Sequence, residues 1–444
     1  HGQIRRQRQM CIRDSMDSKV KLVFTDEQRL AKIKGFVSEM GVQTVLCRHQ
    51  NSDKSDEFWN SLLTSKNNEL PRTTIDQDSD FAVMYTSGST GHPKGVVMTH
   101  RGAISTLMSW HFGLRVLDVM GLGPVPYVDK NNQPYQPCQL VSVPFFHVSG
   151  THGGLLLALW SGTKLVIMKK WDPPEAVRLI ELEKVSRFGG VPTMAAEILG
   201  EAKKVGAKLE SIRLIDTGGA ARPADQAREM AESIPNVLTG TSYGMTETNA
   251  LGIAIRGKEY LENPEVTGRL IAPLAEMRIV DEFDNDVEIG DVGELVLKSA
   301  ANMRCYLNKD AETSEVLKDG WLYTGDLAKI DKNELITLVD RKKNIIIRGG
   351  ENISAQEVQT VILEHPDVIE AAIFALPNER LGEIVGACVF CGETSNADED
   401  SLKEFLRKSL AAYKIPEHIW FKKKPLPRVA SEKIDVEALK KEYS

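Results

Sequence analysis

The sequence predicts an α/β fold, with a large N-terminal domain of α/β subdomains plus a β subdomain, followed by a small α+β C-terminal domain. Three observations carry this reading. From Leu140 onward, β-rich runs at 140–143, 163–168, 212–217 and 236–238 alternate with helix-like segments at 173–186 and 222–233, which is the pattern of a largely parallel sheet. After Pro273, Gly and Asp punctuation becomes denser and shorter strands follow at 277–280 and 293–297. Beyond Arg341, strands at 344–347, 369–376 and 384–391 and helices at 356–365 and 401–412 form a separate α+β pattern.

Each element has a local reason. The helix at 173–186 opens on Pro-Pro, tolerated in a first turn, and sets Ala176, Leu179, Ile180 and Val185 near one face. Ser401 followed by Glu404 makes a capping box for the helix 402–410, and this explains Asp400-Ser401-Leu402 better than the attachment site of a phosphopantetheine carrier does. Cys388 and Cys391 form a C-x-x-C inside a strand-like run, where residues an odd number apart point to opposite faces. Core packing is therefore expected there rather than metal or redox use.

Composition bounds the function. The 444 residues carry a formal charge of -7 and no block of basic residues interleaved with aromatics, so nucleic acid is excluded as a leading partner. The longest unbroken apolar run, 155–160, is far below the roughly 20 residues that span a bilayer. Six scattered cysteines without a paired framework fit a reducing, cytoplasmic setting. His147 and His152 lack the H-E-x-x-H spacing of a helical zinc pair.

The segment from Tyr85 to Val96, YTSGSTGHPKGV, is the strongest chemical signal, and apolar runs on both sides place it between two strands. Glycines let a backbone approach phosphate oxygens, hydroxyls donate to them, and Lys94 adds a compact positive charge. Lys94 is followed by Gly95, so this is not the Walker pattern, and the three-glycine dinucleotide fingerprint is missing.

This loop resembles the signature of the adenylate-forming superfamily: acyl-CoA synthetases, peptide-synthetase adenylation domains and firefly-type luciferases. Further blocks similar to that family follow in order from Asp80 to Lys433: SYGMTET at 242–248, YTGD at 323–326, Asp340-Arg341, GGEN at 349–352 and PRVASEKI at 427–434. The resemblance implies ATP, magnesium and coenzyme A as reactants, and it assigns roles. Thr86, Ser87, Gly88, Ser89, Thr90, Gly91 and Lys94 would cradle phosphates, and Gly218, Gly219 and Ala220 would wall the adenine. Tyr243, beside Gly244, would stack on the adenine, Thr246 would bond the α-phosphate, and Glu247 would hold magnesium. Asp326 and Arg341 would bind ribose, Lys343 would be a hinge, and Gly349 and Gly350 would line the pantetheine path. Lys433 would be the adenylation lysine.

The segment 144–150, PFFHVSG, resembles the flank of the acyl pocket, with His147 as its gate. It lacks the aspartate by which amino-acid-activating relatives hold an amine, and looks most like bacterial fatty acyl-CoA synthetases. Implied boundaries are an AMP-binding adenylation domain over 16–340 and a mobile C-terminal domain over 341–444. The family has a longer lead-in than the 84 residues before Tyr85, so an incomplete first subdomain is expected. Glycine is usual where this chain has Glu432, and a carboxylate there would compete for the Lys433 ammonium. Two alternatives stay open: an enzyme that loads a carrier protein, and an inactive nucleotide-binding fragment.

Residues 1–15 are expected to be a non-native leader. Arg5, Arg6, Arg8 and Arg13 crowd a stretch without helical or strand periodicity, and residues 7–15, QRQMCIRDS, resemble the conceptual translation of a sequencing adapter. Intact-mass measurement on protein from the native source should find a chain beginning near Met16.

Overall fold

The structure, a computed structural model, describes residues 14–48, 64, 69, 72–86, 93–218, 224–392, 397–429 and 433–443. The chain divides into two compact units, the first made of residues 1–100 and 304–313 and the second of 101–303 and 314–444.

In the first unit, parallel strands Leu22–Asp26 and Gln43–Arg48 are linked by the helix Glu27–Met40, whose start Asp26 caps by accepting from the Arg29 N–H. A second sheet pairs Asp80–Thr86 antiparallel with Lys94–Thr99, and the latter with Cys305–Tyr306. The phosphate-loop motif thus joins two strands, as its flanking apolar runs predict. Arg304 forks onto Asp80 with two bonds of 2.8 Å, tying the returning segment to the first strand.

The second unit opens at Arg101, within the helix His100–Val119, which the sequence pattern does not announce. Its buried face includes Gly102, Ser105, Thr106 and Ser109, while Ile104, Met108 and Phe112 are exposed, so the apolar period is blurred. A seven-stranded sheet follows in the order 269–270, 253–256, 238–243, 214–218, 187–190, 138–141, 164–167. Its pairings are parallel except at the edge formed by the first two strands of that order. Helices Pro173–Glu183 and Pro192–Val205 pack Ala176, Ile180, Ile198 and Leu199 against strand residues Leu140, Phe188 and Ile215 to form the main core. The strand expected at 236–238 runs instead over Leu238–Tyr243. Small and hydroxyl residues there hide its β character from composition alone.

An antiparallel sheet of Ala275–Val280, Gly293–Ser299, Trp321–Ile330 and Ile336–Arg341 forms the predicted β region, with Leu317–Lys318 at one edge. The C-terminal sheet contains Glu351–Ser354, Ile345–Arg348, Gly382–Phe390 and Glu370–Asn378, with His418–Lys422 added in parallel. On Gly382–Phe390, Cys388 is fully buried and its thiol pKa is pushed up to about 11 by burial, whereas Cys391 packs at the edge of a different cluster. The two therefore serve separate packing layers. Ser401 is corrected in role: the helix Glu399–Leu406 is capped by Asp398, and Ser401 is its third residue, returning a bond to the Asp398 N–H at 3.0 Å. The helix begins earlier because a carboxylate cap precedes the serine.

Two polar contacts, one half-buried and one fully buried, brace the second unit. Arg256 binds Asp216 in a fork at 2.7–3.0 Å across the intervening strand, and Gly240 lies beneath it. A Cβ on Gly240 would stand 2.4 Å from Asp216 Oδ1 and 2.6 Å from Arg256 Cγ. The segment Ser149–Leu156 is a π-helix, and it buries His152 completely. His152 Nε2 lies 3.0 Å from Asn249 Oδ1, while the Asn249 amide donates to the Ala301 carbonyl at 2.7 Å. That second bond fixes the side-chain amide, so the imidazole donates through Nε2. Burial lowers its pKa to about 4.

Gly240→Ala should lose about 2 kcal/mol or more in denaturant unfolding, through displacement of the Asp216–Arg256 pair. Gly113→Ala should instead gain up to about 1 kcal/mol, because this helical position has nothing within 4 Å of a new Cβ. For His152, the unfolded chain takes up a proton below the ordinary pKa of 6.5 that the fold refuses until about 4. Stability from this source is therefore complete above 6.5 and is lost as pH falls towards 4, on the order of 3 kcal/mol in all. His152→Gln should flatten the acid limb of the stability profile across that window.

Candidate active site

The Asp326 carboxylate is the centre of the predicted site. It sits in the strand Trp321–Ile330, is 4% exposed, and pairs in register with Arg341 on the neighbouring strand Ile336–Arg341. Arg341 Nε lies 2.8 Å from Oδ1, and the Tyr243 hydroxyl donates to Oδ2 at 2.6 Å. Burial and the adjacent Asp326 charge both oppose ionisation of Tyr243 and raise its pKa well above 10.0. A carboxylate has about four lone-pair positions; two remain for further donors.

Tyr243 ends the strand Leu238–Tyr243, and the chain then turns through Gly244 into a 3-10 turn, Thr246–Thr248. A Cβ on Gly244 would lie 2.4 Å from the Ala250 carbonyl oxygen, so the turn closes only with glycine there. Glu247 is 7% exposed, and its carbonyl accepts the Met303 N–H at 2.7 Å. His152 and Asn249 hold this turn from behind through the buried chain described above, linking it to the π-helix after His147.

Lys433 comes to the same place from the C-terminal region. Its residue surface stays open to solvent, yet the protein crowded around it lowers its pKa, as does the Arg341 guanidinium; Asp326 acts in the opposite sense. His147 is half-buried, with Nε2 enclosed and without a hydrogen-bond partner, and its pKa is lowered by burial and then by the Lys433 charge. Asp326, Arg341, Tyr243, Lys433 and His147 are therefore brought together from five separated stretches of sequence. Lys343 lies in the exposed turn Lys342–Asn344, with its pKa lowered by desolvation and by Arg341.

Other predicted residues have defined places. Gly218 ends the strand Leu214–Gly218 opposite Ser242. Gly349 and Gly350 form the turn after Ile345–Arg348 with φ of 61° and 92°, and Gly349 N–H donates to the Leu381 carbonyl at 2.8 Å. Beside them a cavity of about 520 Å³ is lined by Arg348, Arg380, Leu381 and Glu417 among others. In the first unit, Thr86 and Lys94 pair with each other at the base of the phosphate loop, and Lys94 Nζ stands 4.7 Å from the Tyr306 ring centre. Ser87, Gly88, Ser89, Thr90, Gly91, Gly219, Ala220 and Glu432 lie outside the described residues.

Sequence reasoning missed three supports. Asp340, 4% exposed, accepts from Ser354 Oγ at 2.8 Å, from the Gln356 N–H at 2.9 Å and from the Arg341 N–H at 2.6 Å. Asn249 and the ion pair of Glu370 with Arg428 are the others. Arg428 lies in a motif block, but its partner is 58 positions away and carries no local signal.

The donor set suits magnesium. Among the described residues no cluster of three His, Cys, Asp or Glu could hold an ion alone. A single carboxylate such as Glu247, complemented by phosphate oxygens and water, is an arrangement that magnesium accepts.

Known proteins share this chain's sequence pattern and its fold. A family model described as AMP-binding enzyme matches residues 9–307, and one described as AMP-binding enzyme C-terminal domain matches 357–433. Feruloyl-CoA synthase of Amycolatopsis sp is 31% identical, with 84% of this chain and 72% of that protein covered. 4-Coumarate–CoA ligase 2 of Nicotiana tabacum is 29% identical, with 92% and 74% covered. Long-chain-fatty-acid–CoA ligase of Bacillus subtilis is also 29% identical, with 85% and 64% covered. The solved o-succinylbenzoate CoA synthetase from Bacillus subtilis, in complex with its acyl-adenylate intermediate, superposes with a TM-score of 0.79 at 26% identity, covering 98% of this chain and 81% of that one. The chain belongs to the AMP-binding enzyme family, the adenylate-forming acyl-CoA ligases that use ATP and magnesium to activate a carboxylic acid and pass it to coenzyme A.

Proposed function

We propose that the acid is a medium- or long-chain fatty acid and that the site works as follows. The observation that carries the reading is the convergence of Lys433, the Asp326–Arg341 pair and His147 in one place. The two free lone-pair positions of Asp326 accept the ribose hydroxyls, Arg341 stays paired with that carboxylate, and the Tyr243 ring lies against adenine. Thr86 to Gly91 and Lys94 hold the outer phosphates, and Gly218 to Ala220 border the base. Thr246 and Lys433 donate to the α-phosphate.

A substrate carboxylate is already ionised at neutral pH, so no general base is required. Its oxygen attacks the α-phosphorus, the bond to pyrophosphate breaks, and Lys433 stabilises the charge spreading over the phosphoryl oxygens. Glu247 would hold magnesium, which when bound would supply charge neutralisation at the phosphates. His147 then borders the mixed anhydride with its enclosed, neutral imidazole. In the second half the C-terminal domain, from residue 341, turns about Lys343, withdraws Lys433 and presents Gly349 and Gly350. There the coenzyme A sulfur attacks the acyl carbon and AMP departs.

Support for an uncharged chain comes from the acyl-side segment. From Leu140 to Thr163 there is no Asp, Glu, Lys or Arg, and Phe145, Phe146, Leu159 and Trp160 expose apolar surface. Such a lining offers nothing to hold an amine or a second carboxylate. The relatives include ligases for aryl acids as well as for fatty acids, so the assay must separate the two.

Pyrophosphate release should be strongest with dodecanoate or longer acids, weaker with 4-coumarate and absent with amino acids, with acyl-CoA formed when coenzyme A is added. Preference for 4-coumarate would overturn the substrate assignment. Release without use of free coenzyme A would favour carrier loading, and no release would favour the inactive fragment. Lys433→Ala should lower adenylate formation by roughly 10²-fold or more, while turnover of preformed acyl-adenylate with coenzyme A is retained. Asp326→Asn should mainly raise KM for ATP, by about tenfold, because a charged acceptor becomes a neutral one.

A further inference from the structure

Outside the residues used above, one buried carboxylate grips a single loop at two points. Glu370 opens the strand Glu370–Asn378 and is 7% exposed. Its Oε2 accepts the backbone N–H of Leu426 at 2.6 Å, and its Oε1 is ion-paired with Arg428 Nη2. These two partners stand on the outgoing arm of a hairpin whose returning arm carries Lys433. Val429 N–H donates to the Lys433 carbonyl at 2.9 Å, Asp435 N–H to the Pro427 carbonyl at 2.7 Å, and Arg428 is bridged to Ile434.

The base of the hairpin has a separate apolar anchor. Leu426, 3% exposed, and fully buried Leu439 pack with Ala372, Phe374 and Leu376. That packing holds the chain down without any charge. A buried ion pair is a costly way to add stability, since desolvation offsets much of its attraction. What the pair adds is direction: Glu370 fixes the place of Leu426 through its backbone N–H and that of Arg428 through the ion pair. With both set, the position of the opposite strand at Val429 and Lys433 follows from the cross-strand bonds.

We propose that Glu370, acting through Arg428, is a positioning residue that holds the Lys433 hairpin in the geometry needed for adenylate formation. The inference rests on the reading of Lys433 as the adenylation lysine. It predicts an effect confined to one half of the reaction, because the thioester step proceeds after Lys433 has withdrawn.

The 444-residue chain is assayed in both halves with two probes: dodecanoate and 4-coumarate for pyrophosphate release, and their preformed adenylates for transfer to coenzyme A. Glu370→Gln preserves shape and removes the charge. It should slow pyrophosphate release by roughly 10²-fold, chiefly in kcat, the scale expected when a reacting group is misplaced by about 1 Å. Transfer from the preformed adenylate should stay within about twofold of the parent. Arg428→Lys keeps the charge but loses the planar guanidinium that carries the Nη2 contact to Glu370, and should lose about tenfold in the same half only; it is read in the same way if Glu370→Gln does not fold. Equal losses in both halves, or none in either, would overturn the positioning role. Lys433→Ala is run alongside: if it leaves pyrophosphate release intact, the assignment of Lys433 fails first, and no turnover of either acid by the parent chain overturns the functional reading itself.

Discussion

The Asp326 carboxylate is the constraint on which the rest of the second unit's chemistry depends. It is nearly removed from water, so its charge must be met by donors that the fold supplies. Arg341 reaches it because two antiparallel strands are in register, and Tyr243 reaches it from the last residue of a strand in the large parallel sheet. A shift of one residue in either sheet would turn a partner to the opposite face. The register of both sheets is therefore tied to one buried charge, and the crowded cation Lys433 lies within its field.

Around that charge the fold uses polar contacts between segments distant in sequence, whereas its cores are built locally. Leu140, Ile180, Phe188, Ile198 and Ile215 come from successive strand and helix pairs and pack as ordinary α/β layers. The Asp216–Arg256 fork, the chain from His152 to Ala301 and the Glu370–Arg428 pair each bridge segments at least 40 residues apart. The apolar layers set the architecture; the polar bridges tie together strands and turns that the layers alone leave independent.

This division explains what the sequence disclosed. Parallel strands and their helices were legible because Val, Ile and Leu runs alternate with Pro- and Ala-led helical segments. The β region was legible from its Gly and Asp turns. Tyr243, Thr246, Glu247, Asp326, Arg341 and Lys433 were legible as motif blocks, each compact in sequence. The helix His100–Val119 was hidden because buried serines and a threonine replaced aliphatics on its inner face. The π-helix and the capping shift from Ser401 to Asp398 depend on hydrogen bonds that residue type alone leaves open. Asn249 and Glu370 were out of reach for a simpler reason: their partners are remote, and a lone polar residue in sequence says nothing about what it will meet.

Asp340 shows how such a contact bears on motion. It closes the strand Ile336–Arg341 and also meets Ser354 and the Gln356 N–H, at the first turn of the helix Ala355–Leu363. A carboxylate at that place complements the positive end of the helix. Lys343 lies in the chain between these partners, so the rotation proposed there would exchange both bonds for water. Contacts of this kind contribute about 1–2 kcal/mol. That corresponds to a bias of roughly five- to thirtyfold in a two-state equilibrium, small beside the binding energy of a nucleotide. The hinge proposed at Lys343 would therefore be weighted rather than locked, and which reactant occupies the site would decide which arrangement the population favours.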